Sequence, residues 1–192
     1  NFIYEKVNTI EEVEKLLNEN EETKILAGGQ TLIPTMKQRL ASPSTLIDIS
    51  GIDELNFIND NGNSITVGST VTHHEVSSSD IVMSKIPSLA SLAEGIGDPH
   101  VRNMGTIGGS IANNDPTADY PTACLSLNAK IKTNHREINS EDFFVGLFET
   151  ALEENEIVVS VEFNIPKKSS YMKFPNPASR YAMAGVYVSV FD

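Results

Sequence analysis

The chain has 192 residues, 40% of them hydrophobic, and a formal net charge of −12. That length buries roughly 70% of the unfolded surface, enough for one large domain or two small ones. So acidic a chain repels polyphosphate backbones, which argues against a nucleic-acid partner. Its one cysteine, Cys124, excludes an internal disulfide and a cysteine metal cage, and makes a reducing cytoplasm the expected compartment. No apolar run is long enough to span a bilayer, and no charged-then-apolar leader precedes the first elements.

Thr9-Ile10-Glu11-Glu12 reads as a capping box, followed by Ile10, Val13, Leu16 and Leu17 on one helical face. Asn18 and Asn20 help to end that helix. Residues 24–27 read as a short buried strand that runs into Gly28-Gly29. Residues 32–40 read as a helix, Ser42-Pro43 as its break, and 45–49 as a second strand. The first stretch is therefore a small β/α unit.

The texture then changes. Residues 56–58 and 64–68 read as a hairpin around Asp60-Asn61-Gly62-Asn63. Residues 80–95 are helical with an interruption at Pro87. Residues 99–110 read as a glycine-dense loop, and 117–128 as a helix with Pro121 in its first turn or as a kink. Residues 130–133 and 157–163 read as strands, with Ile157, Val159, Val161 and Phe163 on one face. Residues 185–191 read as a last strand by the same alternation. The sum is an α+β fold, a small β/α unit followed by a larger mixed or antiparallel sheet.

Five of the 12 glycines lie between Gly95 and Gly109. Glycine is costly in backbone entropy, so a cluster asks for a reason. One reason is close approach of the backbone to a ligand, with successive N–H groups gathered around an anion. A diphosphate suits both glycine segments, and the strand-Gly-Gly-helix order at 24–40 adds a helix start. The Walker triplet Gly-Lys-Ser/Thr is absent, and Gly95-Ile96-Gly97-Asp98-Pro99-His100 fails the dinucleotide pattern at its last position. Taken singly, each glycine pair also fits an ordinary tight turn. The nearest cations in sequence are Lys37, Arg39 and Arg102, and backbone donors can carry an anion without them.

Two longer runs go further. Residues 25–37 with Arg39-Leu40-Ala41, and residues 101–115 with Ala118-Asp119, closely resemble the FAD-binding medium subunit of the molybdenum hydroxylases, the family of aerobic carbon monoxide dehydrogenase and bacterial xanthine dehydrogenase. The resemblance covers essentially the whole chain and keeps the family's order and spacing. It implies two FAD-binding α+β subdomains, here 1–54 and 55–168, with 169–192 as the start of a truncated C-terminal domain. It also implies partners: a large subunit with molybdopterin and a small subunit with two [2Fe-2S] clusters. Electrons would pass from those clusters to FAD on this chain, and on to an external acceptor.

Residue by residue, the resemblance implies that Ile25, Leu26, Ala27, Gly28, Gly29, Gln30, Thr31 and Leu32 wrap the diphosphate. Ile96 would line the flavin or adenine pocket, where xanthine-type members have an aromatic residue. Thr106, Ile107, Gly108, Gly109 and Ser110 would form a second phosphate-binding turn. Asp119 would accept a hydrogen bond from a cofactor hydroxyl, and Val158 would touch the cofactor. Lys173 would sit near the flavin, and Tyr181 would stack on it. No catalytic acid or base and no metal ligand is expected.

Other residues read as structural. His73-His74 beside Glu75 reads as polar surface or loop rather than a metal site. His100 fits a cofactor contact or a loop hydrogen bond. Cys124 reads as core, and Glu11-Glu12 and Glu153-Glu154 as solvated faces. Two rival functions remain open on sequence: a free-standing FAD-dependent oxidoreductase and a non-catalytic assembly subunit.

Overall fold

In the computed structural model, which describes residues 2–20 and 22–191, two sheets organise two cores. The first sheet is parallel. It comprises β1 (Ile3–Lys6), β2 (Thr23–Leu26) and β3 (Thr45–Asp48), in the order β1-β3-β2. Helix α1 (Ile10–Glu19) links β1 to β2, and α2 (Leu32–Lys37) links β2 to β3. Thr9 caps α1 by accepting from Glu12 N, while Glu12 Oε2 accepts from Asn8 N at 2.8 Å. The apolar face of α1 buries Val13 against Val7, Ile47, Ile49, Ile52 and Leu55. β1 gave no sequence signal because all four of its residues are exposed on an edge strand. Helix α2 stops short of the expected residue 40. Arg39 turns left-handed (φ 61°), and Leu40 is 75% exposed, so no burial extends the helix.

The second sheet is antiparallel and has five strands, β4 (Ile58–Asp60), β5 (Ser64–Gly68), β6 (Lys130–Thr133), β7 (Glu137–Asn139) and β10 (Val158–Asn164), in the order β4-β5-β10-β6-β7. Gly62 takes a positive φ in the expected hairpin turn. Between β5 and β6 run α3 (His73–Ser78), α4 (Asp80–Lys85), α5 (Pro87–Glu94), α6 (Pro99–Arg102), α7 (Ile107–Asn113) and α8 (Tyr120–Ser126). Helix α9 (Ser140–Phe143) and a tight hairpin, β8 (Phe144–Gly146) with β9 (Glu149–Thr150), precede β10. The main core packs these helices on the sheet around Ile65, Val67, Leu92, Ile107, Tyr120 and Phe163.

Strand β10 corrects one expectation. A bulge between Val158 and Ser160 shifts the alternation. Ile157 and Val159 therefore serve the first core, and Val161 and Phe163 the second. An extra residue re-aims the side chains that follow it, and here that joins the two cores through one strand. The expected loop at 99–110 is also corrected, because it contains α6 and the start of α7.

The chain finishes in a hairpin of β11 (Lys168–Pro175) and β12 (Ala182–Val190). Its inner face carries Tyr171, Lys173 and Tyr187 toward α5 and α8. Ser88 Oγ meets Ser169 Oγ at 2.6 Å, and Ser126 Oγ meets Ser189 Oγ at 2.9 Å. Cys124 is buried, and burial pushes its thiol pKa up, so it is an inert core residue.

Candidate cofactor-binding site

The cavity of about 690 Å³ opens beyond the carboxyl end of β2, the usual place for a ligand against a parallel sheet. Its walls are the turn from β2 to α2, the first turn of α7, the 96–98 loop, β10 and the tip of the β11–β12 hairpin. That volume lies within the roughly 300–1,000 Å³ of small-molecule and cofactor sites.

The β2–α2 turn is the part rich in free donors. Among the described residues, the N–H groups of Gly28, Gly29, Gln30, Thr31 and Leu32 have no acceptor. All five residues line the cavity. The carbonyls of Gly29 and Thr31 are already engaged, accepting from Ile33 N and Thr35 N at 3.1 Å each. Two glycines make this turn possible for different reasons. Gly29 has φ 68°, the left-handed region that glycine enters without strain. Gly28 abuts the other segment, since a Cβ there would lie 2.0 Å from Met104 O and 2.8 Å from Gly105 Cα. Ile25, Leu26 and Ala27 lead into the turn and line the same wall.

The second glycine segment is built differently from the expected phosphate-binding turn. Its N–H groups are used inside the protein: Ile107 N to Val71 O at 3.0 Å, Gly108 N to Ser69 O at 2.9 Å, and Gly109 N to Thr106 Oγ1 at 3.1 Å. Ser110 N donates to Thr106 O. The reason is that Thr106 caps α7, so these residues are the first helical turn. Thr106, Gly108, Gly109 and Ser110 all line the cavity; Gly109 is exposed there, while Thr106 and Gly108 are buried and the bare side of Gly108 packs on Ser69. The Ile107 side chain points away, fully buried in the main core.

At the other wall, Asp119 is buried and holds two residues of β11. Tyr171 donates its hydroxyl to Asp119 Oδ1, and Lys173 Nζ lies 2.9 Å from Asp119 Oδ2. Lys173 also donates to Gly95 O at 3.2 Å. Burial and the Asp119 hydrogen bond together raise the Tyr171 pKa. Asp119 and Lys173 both line the cavity, as do Val158 and Tyr181. The Lys173 charge, expected near the flavin, is thus paired with Asp119. Tyr181 is half exposed at the hairpin tip, and burial, then Asp115 and Asp119, raise its pKa. Ile96 lines the cavity on a loop held by Arg102, whose Nη1 donates to Ile96 O and Gly97 O at 3.1 and 3.3 Å.

Sequence reasoning missed Ser69, His73, Asp98 and Arg180, which line the cavity from turns and helix starts. No motif marks them. His73 is a correction in particular: it is 5% exposed and sits in the cavity wall, not on the surface. Burial, then the Arg102 charge, lowers its pKa to about 4, so its imidazole is neutral at pH 7. Among the described residues no group of three or more His, Cys, Asp or Glu is placed to hold a metal ion.

A parallel strand-turn-helix joined to an antiparallel sheet, with a donor-rich glycine turn over a ligand-sized cavity, defines a nucleotide-cofactor domain outside the common Rossmann and P-loop classes. The chain belongs to the family described as the FAD binding domain in molybdopterin dehydrogenase, whose model matches residues 1–168. It is 38% identical over 195 residues to the glyceraldehyde dehydrogenase medium chain of Sulfolobus acidocaldarius, covering 98% of this chain and 69% of that one. It is 36% identical to the carbon monoxide dehydrogenase medium chain of Hydrogenophaga pseudoflava, covering 97% of this chain and 68% of the relative. In structure it is similar to carbon monoxide dehydrogenase from Hydrogenophaga pseudoflava, with a TM-score of 0.92 at 36% identity over 96% of this chain and 67% of that one. Quinoline 2-oxidoreductase from Pseudomonas putida 86 also gives 0.92, at 30% identity over the same shares.

Proposed function

We propose that this chain is the flavoprotein subunit of a molybdenum-dependent dehydrogenase, binding FAD non-covalently in the cavity described above. The observation that carries the reading is the row of five free N–H groups from Gly28 to Leu32 on the cavity wall. A buried anion needs donors, and hydrogen bonds to a charged group contribute about 1.5–3 kcal/mol each. In a chain of net charge −12, backbone donors hold a diphosphate without recruiting a cluster of cations. Thr106 and Ser110 add hydroxyl donors from the opposite side, and Gly109 leaves room for the ligand.

When bound, FAD supplies the electron chemistry, and the protein supplies position and electrostatics. Ile96 and Tyr181 bound the ring end with apolar and aromatic surface. The Asp119–Lys173 pair fixes the hairpin tip that carries Tyr181, and Asp119 keeps lone pairs for a cofactor hydroxyl. Val158 closes the floor at the β10 bulge. No residue here is assigned a proton-transfer step.

In this reading the partners are an iron-sulfur small subunit and a molybdopterin large subunit, with electrons leaving to an external acceptor. The relatives' designations as medium chains and FAD subunits favour this over a free-standing oxidoreductase or an assembly scaffold. We take 1–54, 55–168 and 169–192 as the subdomains, a reading supported by the separate parallel sheet, antiparallel sheet and β11–β12 hairpin. Cytoplasmic placement fits the free buried cysteine, and no helix among the described residues is long and apolar enough to cross a membrane.

The test is spectroscopic. The purified protein is expected to be yellow, or to become so on adding FAD, and to release intact FAD on denaturation. Folded protein that takes up no FAD would refute the proposal. Co-purification with iron-sulfur and molybdopterin chains tests the partners separately.

A further inference from the structure

Ser69, just after β5, and His73, the first residue of α3, meet beneath the crossing of the two glycine segments. Ser69 O accepts from Gly108 N, and His73 N donates to Gly105 O, each at 2.9 Å. A Cβ on Gly108 would lie 2.5 Å from Ser69 Cβ, and one on Gly105 would lie 2.7 Å from His73 Nε2. The glycines therefore let both side chains press against the segment that the cofactor would cover. Both residues line the cavity while being only 3% and 5% exposed.

Ser69 Oγ and His73 Nδ1 have no hydrogen-bond partner among the described residues. Buried polar atoms are normally matched, and an unmatched one in a ligand wall points to the ligand. Thr23 Oγ1 and Tyr120 Oη are also unmatched among the described residues, but neither residue lines the cavity, whereas other buried polar groups are matched. Glu156, for example, accepts from Arg136, Thr133 and Glu153 N. Tyr120 packs against His73, with ring centroids 5.4 Å apart.

We propose that Ser69 and His73 form a hydroxyl-recognising floor of the FAD site that contacts the ribityl chain and not the diphosphate. This rests on the FAD reading above and assigns two residues to a part of the ligand that the glycine turn does not serve. A serine hydroxyl and a neutral imidazole each both donate and accept, as sugar-alcohol hydroxyls do. The diphosphate already has the free N–H groups of Gly28 to Leu32, which leaves these two groups for the hydroxyls of the adjoining ribityl chain. The Nε2–Cδ2 edge of His73 is the one nearest Gly105, and a half-turn about Cβ–Cγ exchanges it with the Nδ1 edge.

The experiment titrates FAD and, separately, ADP, which lacks the ribityl chain, onto wild-type protein and the variants Ser69→Ala, His73→Leu and His73→Asn. Calorimetry reads affinity, and a melting curve checks folding. Ser69→Ala and His73→Leu are each expected to weaken FAD about five- to ten-fold, the worth of one net hydrogen bond, with ADP affinity unchanged. His73→Asn, which keeps a hydrogen-bonding atom near Nδ1, is expected to recover most of the loss. Unchanged FAD affinity, or an equal loss for ADP, overturns the proposal. Should His73→Leu fail to fold, Ser69→Ala alone decides. A wild-type protein that binds no FAD overturns the cofactor reading itself, which is a different result from variants matching a wild type that does bind.

Discussion

Lys173 Nζ lies 2.9 Å from Asp119 Oδ2, and this ion pair fastens the final hairpin to the start of α8. Their side chains are 10% and 5% exposed, so the charges are shielded from water. Removing one partner of a buried pair strands the other, which costs about 3–5 kcal/mol. Lys173→Met and Asp119→Asn are each expected to lose stability of that order in urea unfolding. The double variant is expected to lose less than the sum, because neither charge is left alone.

The two glycine segments differ in what a side chain would meet. At Gly28 an added Cβ strikes the backbone of Met104 and Gly105. Backbone cannot step aside cheaply, so Gly28→Ala is expected to destabilise the fold by about 1–3 kcal/mol or more. At Gly109 the nearest atoms are Thr106 Oγ1 at 3.0 Å and Ala27 Cβ at 4.0 Å, on the cavity side. Gly109→Val is therefore expected to leave a folded protein with at least ten-fold weaker FAD binding, a loss of about 1.4 kcal/mol or more. Melting curves and flavin titration separate the two outcomes.

His73 gives a pH signature. Its pKa falls from 6.5 to about 4 in the folded state, chiefly through burial. The unfolded chain then binds more protons between those values, so this residue's contribution to stability declines as pH falls from 6.5 to about 4 and is constant outside that window. The shift corresponds to roughly 3 kcal/mol. Unfolding free energy measured from pH 7 to pH 4 is expected to fall less steeply in His73→Leu than in wild type. Parallel curves would contradict the burial of a neutral imidazole.

Glu156 is also shifted down, but because its charged form is favoured rather than disfavoured. Its pKa is lowered from 4.5 to about 2, first by the Arg136 hydrogen bonds. The pair's contribution is fully present above pH 4.5 and is lost as pH falls toward 2. Arg136→Gln is expected to reduce stability at pH 7 and to remove that acid dependence. Acid titration by circular dichroism reads both.

Arg102 is expected to matter through the loop it holds. Its guanidinium donates to Ile96 O and Gly97 O, next to the positive φ of Gly97. Arg102→Leu is expected to cost about 1–3 kcal/mol of stability and to weaken FAD binding through a looser Ile96 wall. Amide exchange at residues 96–98 checks the cause.

Much of this protein is written locally. The cap at Thr9, the Asn61-Gly62 turn, the strand at Thr23–Leu26 and the family-specific glycine runs all depend on neighbours in sequence, so they were legible there, although the strand expected to be buried has Lys24 exposed and Ile25 and Leu26 only half-buried. Strands β1 and β11 were not, because exposed edges and weak alternation leave no apolar period to read. Sequence could place two glycine segments together but could not assign their roles. Which N–H groups stay free depends on what lies across from them. Thr106 and the carbonyls of Ser69 and Val71 consume those of the second segment, while nothing among the described residues consumes those of Gly28 to Leu32. Likewise His73 is one of two adjacent histidines in the chain, and only the packing of Gly105 and Tyr120 around it buries it in a cavity wall. Hydrogen-bond satisfaction and burial are properties of contacts between distant residues, so the tertiary structure alone decides them.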